Sequence, residues 1–347
     1  MMPAYNEDDR MFLPSTFTAA LLMTILCTCC WGSFANTFKL TKNYRFELYY
    51  WDYGLGIFLT SVLCAMTLGS VHHDATSFLP NLQQADANLL FYALIGGAIF
   101  NVANVLLVAG IEMVGLAIAF PLSIGIALVE GTVLSYLTHP QGNAVLLGAG
   151  VTMALVAVIL IGMAYAARGT VGVVSSRKGT VVCIISGLLM GIFAPLITKA
   201  MQGNHPDASA LVPAGALNSY TAAVMMTLGA FLCCFVFNPI LMRWPLVGAR
   251  VRFSGYVSAP AKYHLLGLLG GAIWGTGTVL NFVAGRFVGL PISYAIGQAS
   301  PMIATLWGVF LWKEFAGAKR LSKIYLLGMF SAYVLALALI ALAYKAG

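Results

Sequence analysis

The stretch GGAIFNVANVL, Gly96 to Leu106, returns 174 residues later as GGAIWGTGTVL, Gly270 to Leu280. In the same register VGLAIAF from Val114 lies on VGLPISY from Val288. Gly96, Gly97, Ala98, Ile99, Val105, Leu106, Val114, Gly115, Leu116 and Ile118 are each identical to the residue 174 later. That is more agreement than shared hydrophobicity produces by chance. A weaker echo sets WGSFANTFK at Trp31 against MGIFAPLITK at Met190, with one residue inserted before the Lys. Self-similarity at half the chain length marks an internal duplication.

Working outward from these copies, the chain is one apolar run after another. Of its 347 residues 60% are hydrophobic and 8% charged, against about a quarter charged in soluble proteins. Such a chain cannot clothe a soluble globule; the composition also excludes disorder, collagen and a disulfide scaffold. The net charge of +7, which in a soluble chain would hint at nucleic acid, reads here as a topology signal. All seven cysteines fall within apolar runs and act as small buried residues.

A bilayer core about 30 Å thick takes roughly 20 apolar residues per helix. Ten such runs are present: 17–38, 48–69, 89–110, 115–137, 145–167, 179–200, 215–238, 263–284, 289–312 and 324–345. The expected fold is an all-α membrane protein of ten transmembrane helices in two five-helix repeats, 17–167 and 179–345, behind a tail of residues 1–16. That tail is polar and acidic, lacks the basic start of a secretory signal, and leaves Met11 as an alternative start.

An odd number of spans per repeat sets the two copies upside down relative to each other. Charge agrees. Fourteen of the eighteen Lys and Arg follow odd-numbered spans: Lys39, Lys42, Arg45, Arg168, Arg177, Lys178, Arg243, Arg250, Arg252, Lys262, Lys313, Lys319, Arg320 and Lys323. Arg10, Lys199, Arg286 and Lys345 make up the rest. Both termini are therefore expected on the non-cytoplasmic side, in a bacterial inner membrane.

Several motifs carry a family likeness. They are Trp31-Gly32 in the first span, Tyr49-Tyr50-Trp51-Asp52-Tyr53 at the entrance to the second, and Val114-Gly115-Leu116 and Val288-Gly289-Leu290 opening the fourth and ninth. The ninth ends in Leu306-Trp307-Gly308-Val309-Phe310-Leu311-Trp312-Lys313-Glu314. With the five-plus-five plan, this resembles the drug/metabolite transporter superfamily, and within it the ureide permeases and the glucose/ribose and L-rhamnose–proton permeases. The resemblance implies secondary transport of a small metabolite by alternating access.

Polar residues at membrane depth are the candidates for a solute path. Asn101 and Asn104 share one face of the third span with Gly97. The repeat sets Gly275 and Thr278 at the equivalent positions, with Trp274 and Asn281 on the same stripe; Tyr294 and Gln298 lie in the ninth span, and Trp31 and Asn36 in the first. Two accounts compete. These side chains wall a midplane cavity for a neutral hydroxyl- or amide-bearing solute, or they bond neighbouring helices, at about 0.6 kcal/mol each.

Glu130 is the sharpest signal, roughly 6 Å past the centre of the fourth span at 1.5 Å per residue. A carboxylate there costs a few kcal/mol unless protonated or paired, so Glu130 is the candidate proton carrier, with a protonated structural carboxyl as the other account. Asp52 reads as an interfacial acid paired with Lys42 or Arg45, and Lys39 as a snorkelling base or an anion ligand. His72, His73 and Asp74 are poor evidence for a metal. No cofactor is expected.

The first expectation is thus a proton-coupled importer of a small neutral metabolite, a sugar before a ureide or nucleobase-like compound. The alternative is a metabolite or drug exporter of the same superfamily. A phosphate-binding Gly-x-x-x-x-Gly-Lys-Ser/Thr loop is absent, which argues against ATP coupling within the chain. No His-Glu-x-x-His or convincing Ser/His pair supports an intramembrane enzyme.

Overall fold

The computed structural model describes residues 11–42, 44–71, 76–138, 140–168, 177–203 and 212–346. The first ten residues of the tail and the His72-His73-Asp74 run lie outside the described residues. With no water to satisfy backbone groups in a bilayer, apolar runs of this length must close their hydrogen bonds internally. Every regular element among the described residues is accordingly helical: α1 (Phe17–Ser33), α2 (Ala35–Lys39), α3 (Phe46–Met66), α4 (Phe78–Gln84), α5 (Ala87–Val114), α6 (Leu116–Ala119), a π-helical turn (Phe120–Ile124), α7 (Gly125–Thr138), α8 (Ala144–Ala167), α9 (Arg177–Gln202), α10 (Ser219–Arg243), α11 (Ser254–Val257), α12 (Ala261–Val288), α13 (Leu290–Gly297), α14 (Ser300–Phe310) and α15 (Arg320–Lys345), besides a single 3-10 turn at Leu68–Ser70. Nine helical segments among the described residues are long and apolar enough to cross a membrane. The chain is an all-α, multi-pass integral membrane protein.

The ninth expected span, 289–312, departs from the reading as one helix. It is two pieces, α13 and α14, broken at Gln298 and Ala299. Pro301 supplies the reason: it has no N–H for the Gly297 carbonyl, and a proline is accommodated only in the first turn of a helix, so α14 starts afresh at Ser300. The fourth span is irregular too, with a π-helical turn at Phe120–Ile124 that contains Pro121; in the 174-residue register this turn falls on 294–298, running up to the break in the ninth. Each of the two spans begins at a glycine with positive φ, Gly115 at 74° and Gly289 at 94°, 174 residues apart. A side chain with a Cβ is strained there, and each glycine ends the preceding long helix.

The packing repeats as well. α5 lies against α9 and α10, and α12 against α1 and α3; α7 packs on α9 as α13 and α14 pack on α1; α8 pairs with α15. Glycines set the closest crossings. A Cβ on Gly97 would collide with the Met226 carbonyl and one on Gly229 with the Leu94 carbonyl, so α5 and α10 meet backbone to backbone. Gly271 against Tyr53 and Gly56 against Leu268 do the same for α12 and α3. Lipid offers no hydrophobic drive between helices, so such small residues supply the contact.

The two ends of the bundle are chemically sorted. At one end Lys39 pairs with Glu314 and Arg45 with Glu47. At the other, the Phe17 ring stacks on Tyr344 at 4.8 Å, and the Arg286 guanidinium donates to the carbonyls of Met201 (2.8 Å) and Leu217 (3.0 Å). Lys39 thus has a carboxylate partner, with its ammonium also 4.5 Å from the Trp312 ring centroid.

The expected pairing of Asp52 with Lys42 or Arg45 is not what forms. Arg45 is committed to Glu47, while Asp52, 4% exposed, accepts from the Tyr256 hydroxyl at 2.7 Å and meets His264 Nδ1 at 2.8 Å. The cause is the position of Asp52 on the second turn of α3, facing Gly267 of α12 rather than the loop. Burial, then the Asp52 charge, pushes the Tyr44 hydroxyl up to about 12, which keeps it neutral. The three-element knot predicts that Asp52→Asn lowers stability by about 2 kcal/mol, since hydrogen bonds to charged groups exceed neutral ones. Thermal denaturation of the purified protein measures this; an unchanged midpoint would show that the knot holds nothing together.

Candidate functional site

Five aromatic rings from five helices form a continuous column through the bundle. Trp31 of α1 stacks on Trp274 of α12 with centroids 5.7 Å apart, and Trp274 on Phe100 of α5 at 4.5 Å. Phe100 meets Phe193 of α9 edge-on at 5.5 Å, and Phe193 meets Tyr294 of α13 at 5.9 Å. Phe100 and Trp274 are 174 residues apart, so the column is centred on two equivalent residues of the duplicated segment lying face to face.

Small neighbours seat these rings. Trp31 lies over Gly277 and Gly297, where an added Cβ would come within 2.8 Å of its indole. The Tyr294 ring covers Gly131, and its hydroxyl donates toward the Ala127 (3.1 Å) and Met190 (3.4 Å) carbonyls. Gln298, buried, follows Gly297 at the end of α13. Trp31 Nε1 donates to Thr278 Oγ1 at 3.3 Å.

Beside the column is a small, partly open pocket of about 20 Å³, bounded by Trp31, Ser135, Phe193, Thr198, Asn281 and Tyr294 among others. It has room for one water. Ser135 Oγ, on its wall, is buried without a hydrogen-bond partner. Asn281 is bound to α13: its side-chain Nδ2 donates to the Ser293 backbone carbonyl at 2.9 Å, and its backbone carbonyl accepts from Ser293 Oγ at 2.7 Å. The interrupted α13 is thereby tied to α12 next to the pocket.

Glu130 adjoins this region. Its side chain packs on Gly191 of α9, where a Cβ would come within 2.7 Å of Oε2, and that oxygen is buried without a partner. An isolated buried carboxylate oxygen is costly. Its neighbour Gly131 lies under the Tyr294 ring.

Of the residues singled out from sequence, Trp31, Trp274, Thr278, Asn281, Tyr294 and Gln298 are brought together, with Glu130 alongside. Asn101, Asn104 and Asn36 point elsewhere. Asn104 Nδ2 donates to the Tyr50 hydroxyl at 3.2 Å and Asn101 Oδ1 accepts from Cys234 Sγ at 3.5 Å, so this amide face serves the α3 and α10 contacts. Asn36 sits at the basic end, where its Oδ1 accepts from Trp312 Nε1 at 2.6 Å. Phe100, Phe193 and Ser135 escaped the sequence reading. For Phe100 the signal was present: it is the repeat counterpart of Trp274. Phe193 lies in the weaker echo, opposite Phe34.

This geometry can be set beside known proteins. The ureide permease family model matches residues 49–172 and 167–343. Ureide permease 1 of Arabidopsis thaliana is 24% identical over 84% of this chain and 87% of its own length. A Listeria innocua protein named for sugar uptake is 23% identical over 72% of this chain and 78% of its own. A crystal structure 14% identical in sequence superposes with a TM-score of 0.61, covering 94% of this chain and 98% of that one, which bears on the fold alone. The named permeases are transporters, and this chain is a membrane transporter rather than an enzyme. With the family model spanning both halves of the molecule, the chain belongs to the ureide permease family.

Proposed function

We propose that this protein carries a small neutral polar metabolite across the membrane by alternating access, through the region around the aromatic column. In this reading the chain is ten spans in two inverted repeats, 17–167 and 179–345, with both termini on the non-cytoplasmic side. The observation that carries it is the column itself: five rings from five helices, centred on repeat-equivalent Phe100 and Trp274, beside two irregular spans that each open at a repeat-equivalent glycine, Gly115 and Gly289. Transporter sites characteristically lie at the repeat interface where helices are discontinuous. The exchange symmetry of helix contacts supports the inverted arrangement, and the repeated glycine crossings support it further.

The solute class follows from the chemistry of the walls. Aromatic faces suit flat or CH-rich rings, and a few placed hydroxyls and amides suit a neutral hydrogen-bonding solute. Trp31, Trp274, Thr278, Asn281, Tyr294 and Gln298, with Phe100, Phe193 and Ser135, are the proposed contacts. The names of the relatives favour a ureide over a sugar, the reverse of the order expected from sequence. A sugar is the second reading, favoured by the Listeria innocua relative.

A solute that binds only the folded state raises its apparent stability, by about 2.7 kcal/mol at a hundredfold excess over Kd. The detergent-purified protein should therefore melt higher with allantoin, a simple ureide, or with one sugar. It should not do so with the lipophilic cation tetraphenylphosphonium. Stabilisation by the cation alone would favour export instead.

Glu130 is the proposed proton carrier, supported by its unpartnered buried oxygen and by its place next to Gly131, which the Tyr294 ring covers. Glu130→Gln should reduce uptake driven by an inward proton gradient to the level seen without a gradient, while solute exchange at equal pH persists. Retention of gradient-driven uptake would remove Glu130 from coupling.

A further inference from the structure

Away from the aromatic column, at the end where the basic connections gather, a groove of about 940 Å³ opens between α3, α10 and the connection 244–253. Its wall is aromatic. Trp51 of α3 meets Phe235 of α10 edge-on at 5.5 Å and Phe253 of the connection edge-on at 5.8 Å. Phe235 and Phe253 are 56% and 51% exposed, so the wall is open on its outer side. The rim is cationic: Arg243 ends α10, and Arg250 and Arg252 stand on the connection, all three exposed.

The connection is fastened to the helices. The Val251 amide donates to the Met242 carbonyl at 3.0 Å, and the Arg45 guanidinium donates to the carbonyls of Val247 (3.1 Å) and Ala249 (3.0 Å). Arg250 and Arg252 are thereby held beside Arg243 around one opening. Arg45, on the other side, has its own carboxylate in Glu47, whereas among the described residues none of the three rim arginines has one. The site offers a triple positive charge with no carboxylate among the described residues to compensate it, beside an open aromatic slot where α3 begins and α10 ends.

A soluble anion would satisfy the rim and leave the wall bare; an uncharged acyl chain would cover the wall and leave the rim unpaired. We propose that the groove binds an anionic phospholipid of the adjacent leaflet, its phosphate among Arg243, Arg250 and Arg252 and an acyl chain along Trp51, Phe235 and Phe253. Basic clefts between membrane helices favour anionic headgroups, at about fivefold in affinity per charged side chain near the surface.

The test uses the full-length purified protein, stripped of lipid in detergent and melted with dioleoyl phosphatidylglycerol, dioleoyl phosphatidylcholine or soluble glycerol phosphate. Native mass spectrometry counts the lipid retained. Phosphatidylglycerol should raise the midpoint and remain bound, and the other two should do neither. Arg250→Gln with Arg252→Gln should weaken phosphatidylglycerol binding roughly 25-fold. Lys319→Gln with Arg320→Gln, on a different basic connection, should not weaken it. The rim arginines are exposed, so a lipid-free midpoint equal to wild type checks that the variant is folded. If it is not, Arg250→Lys with Arg252→Lys, which keeps the charge, should restore both folding and binding. Equal binding of phosphatidylcholine, a full shift with glycerol phosphate, or undiminished binding by the folded double Gln variant would overturn the proposal.

Discussion

Replacing Trp274 by alanine should reduce initial uptake by purified, reconstituted protein by roughly 30- to 1000-fold, the range expected when a central aromatic contact of about 2–4 kcal/mol is removed. Trp274 is 5% exposed and lies between Phe100 and Trp31, so it is the ring through which Trp31 joins the rest of the column. Without it, Phe100 faces a void and the indole of Trp31 loses its stacking partner. Trp274→Phe keeps a flat face and should recover most of the activity, which separates a requirement for the ring from general damage to α12. Leu327→Ala, on the 69% exposed outer face of α15, should leave uptake unchanged. Near-normal uptake by a folded Trp274→Ala protein would take the column out of the solute path.

The second large effect is on folding. Gly97→Leu should leave almost no monodisperse protein after extraction, because a side chain at this position runs into the Met226 carbonyl and the Ala230 amide, both backbone. Rigid helix backbones cannot yield as a flexible side chain would, and overpacking of this kind exceeds about 3 kcal/mol. Gly271→Leu should behave alike, since it meets the backbone of Tyr53 and Ile57 in the equivalent crossing. Gly148→Ala is the contrast: nothing lies within 4 Å of its added Cβ, and a mid-helix alanine gains about 0.5–1 kcal/mol over glycine. Size-exclusion profiles with melting curves measure all three. A well-folded Gly97→Leu protein would mean that α5 and α10 do not meet here.

Much of the architecture was legible because bilayer physics is blunt. Apolar runs of helix-spanning length must be helices, and the identity between Gly96–Leu106 and Gly270–Leu280 pointed to the segment that holds Phe100 and Trp274. The break at Gln298 was less legible, since the run from Leu290 to Phe310 carries no charge and its polar residues are scattered, so that only Pro301 announces the interruption. The site was read partly because polar residues were sought where packing needed aromatic ones. Asn101 and Asn104 share a face with Gly97, and Gly97 is the α10 contact, so their amides follow it toward α10 and α3. Phe100, one residue earlier, turns to the centre. Asp52 was misassigned for a related reason: sequence proximity favoured Lys42 and Arg45, whereas its partners, Tyr256 and His264, come from more than 200 residues away. Long-range pairings of this kind have no local signature.

The most direct measurement of the central claim is solute counterflow in proteoliposomes preloaded with unlabelled allantoin or glucose, recording entry of the labelled compound for wild type and Trp274→Ala. Transient accumulation of one labelled solute above its external level by wild type, and its loss in the variant, is the predicted result. Entry of neither solute faster than into protein-free vesicles, or equal accumulation by wild type and Trp274→Ala, would contradict transport of such a metabolite through the aromatic column.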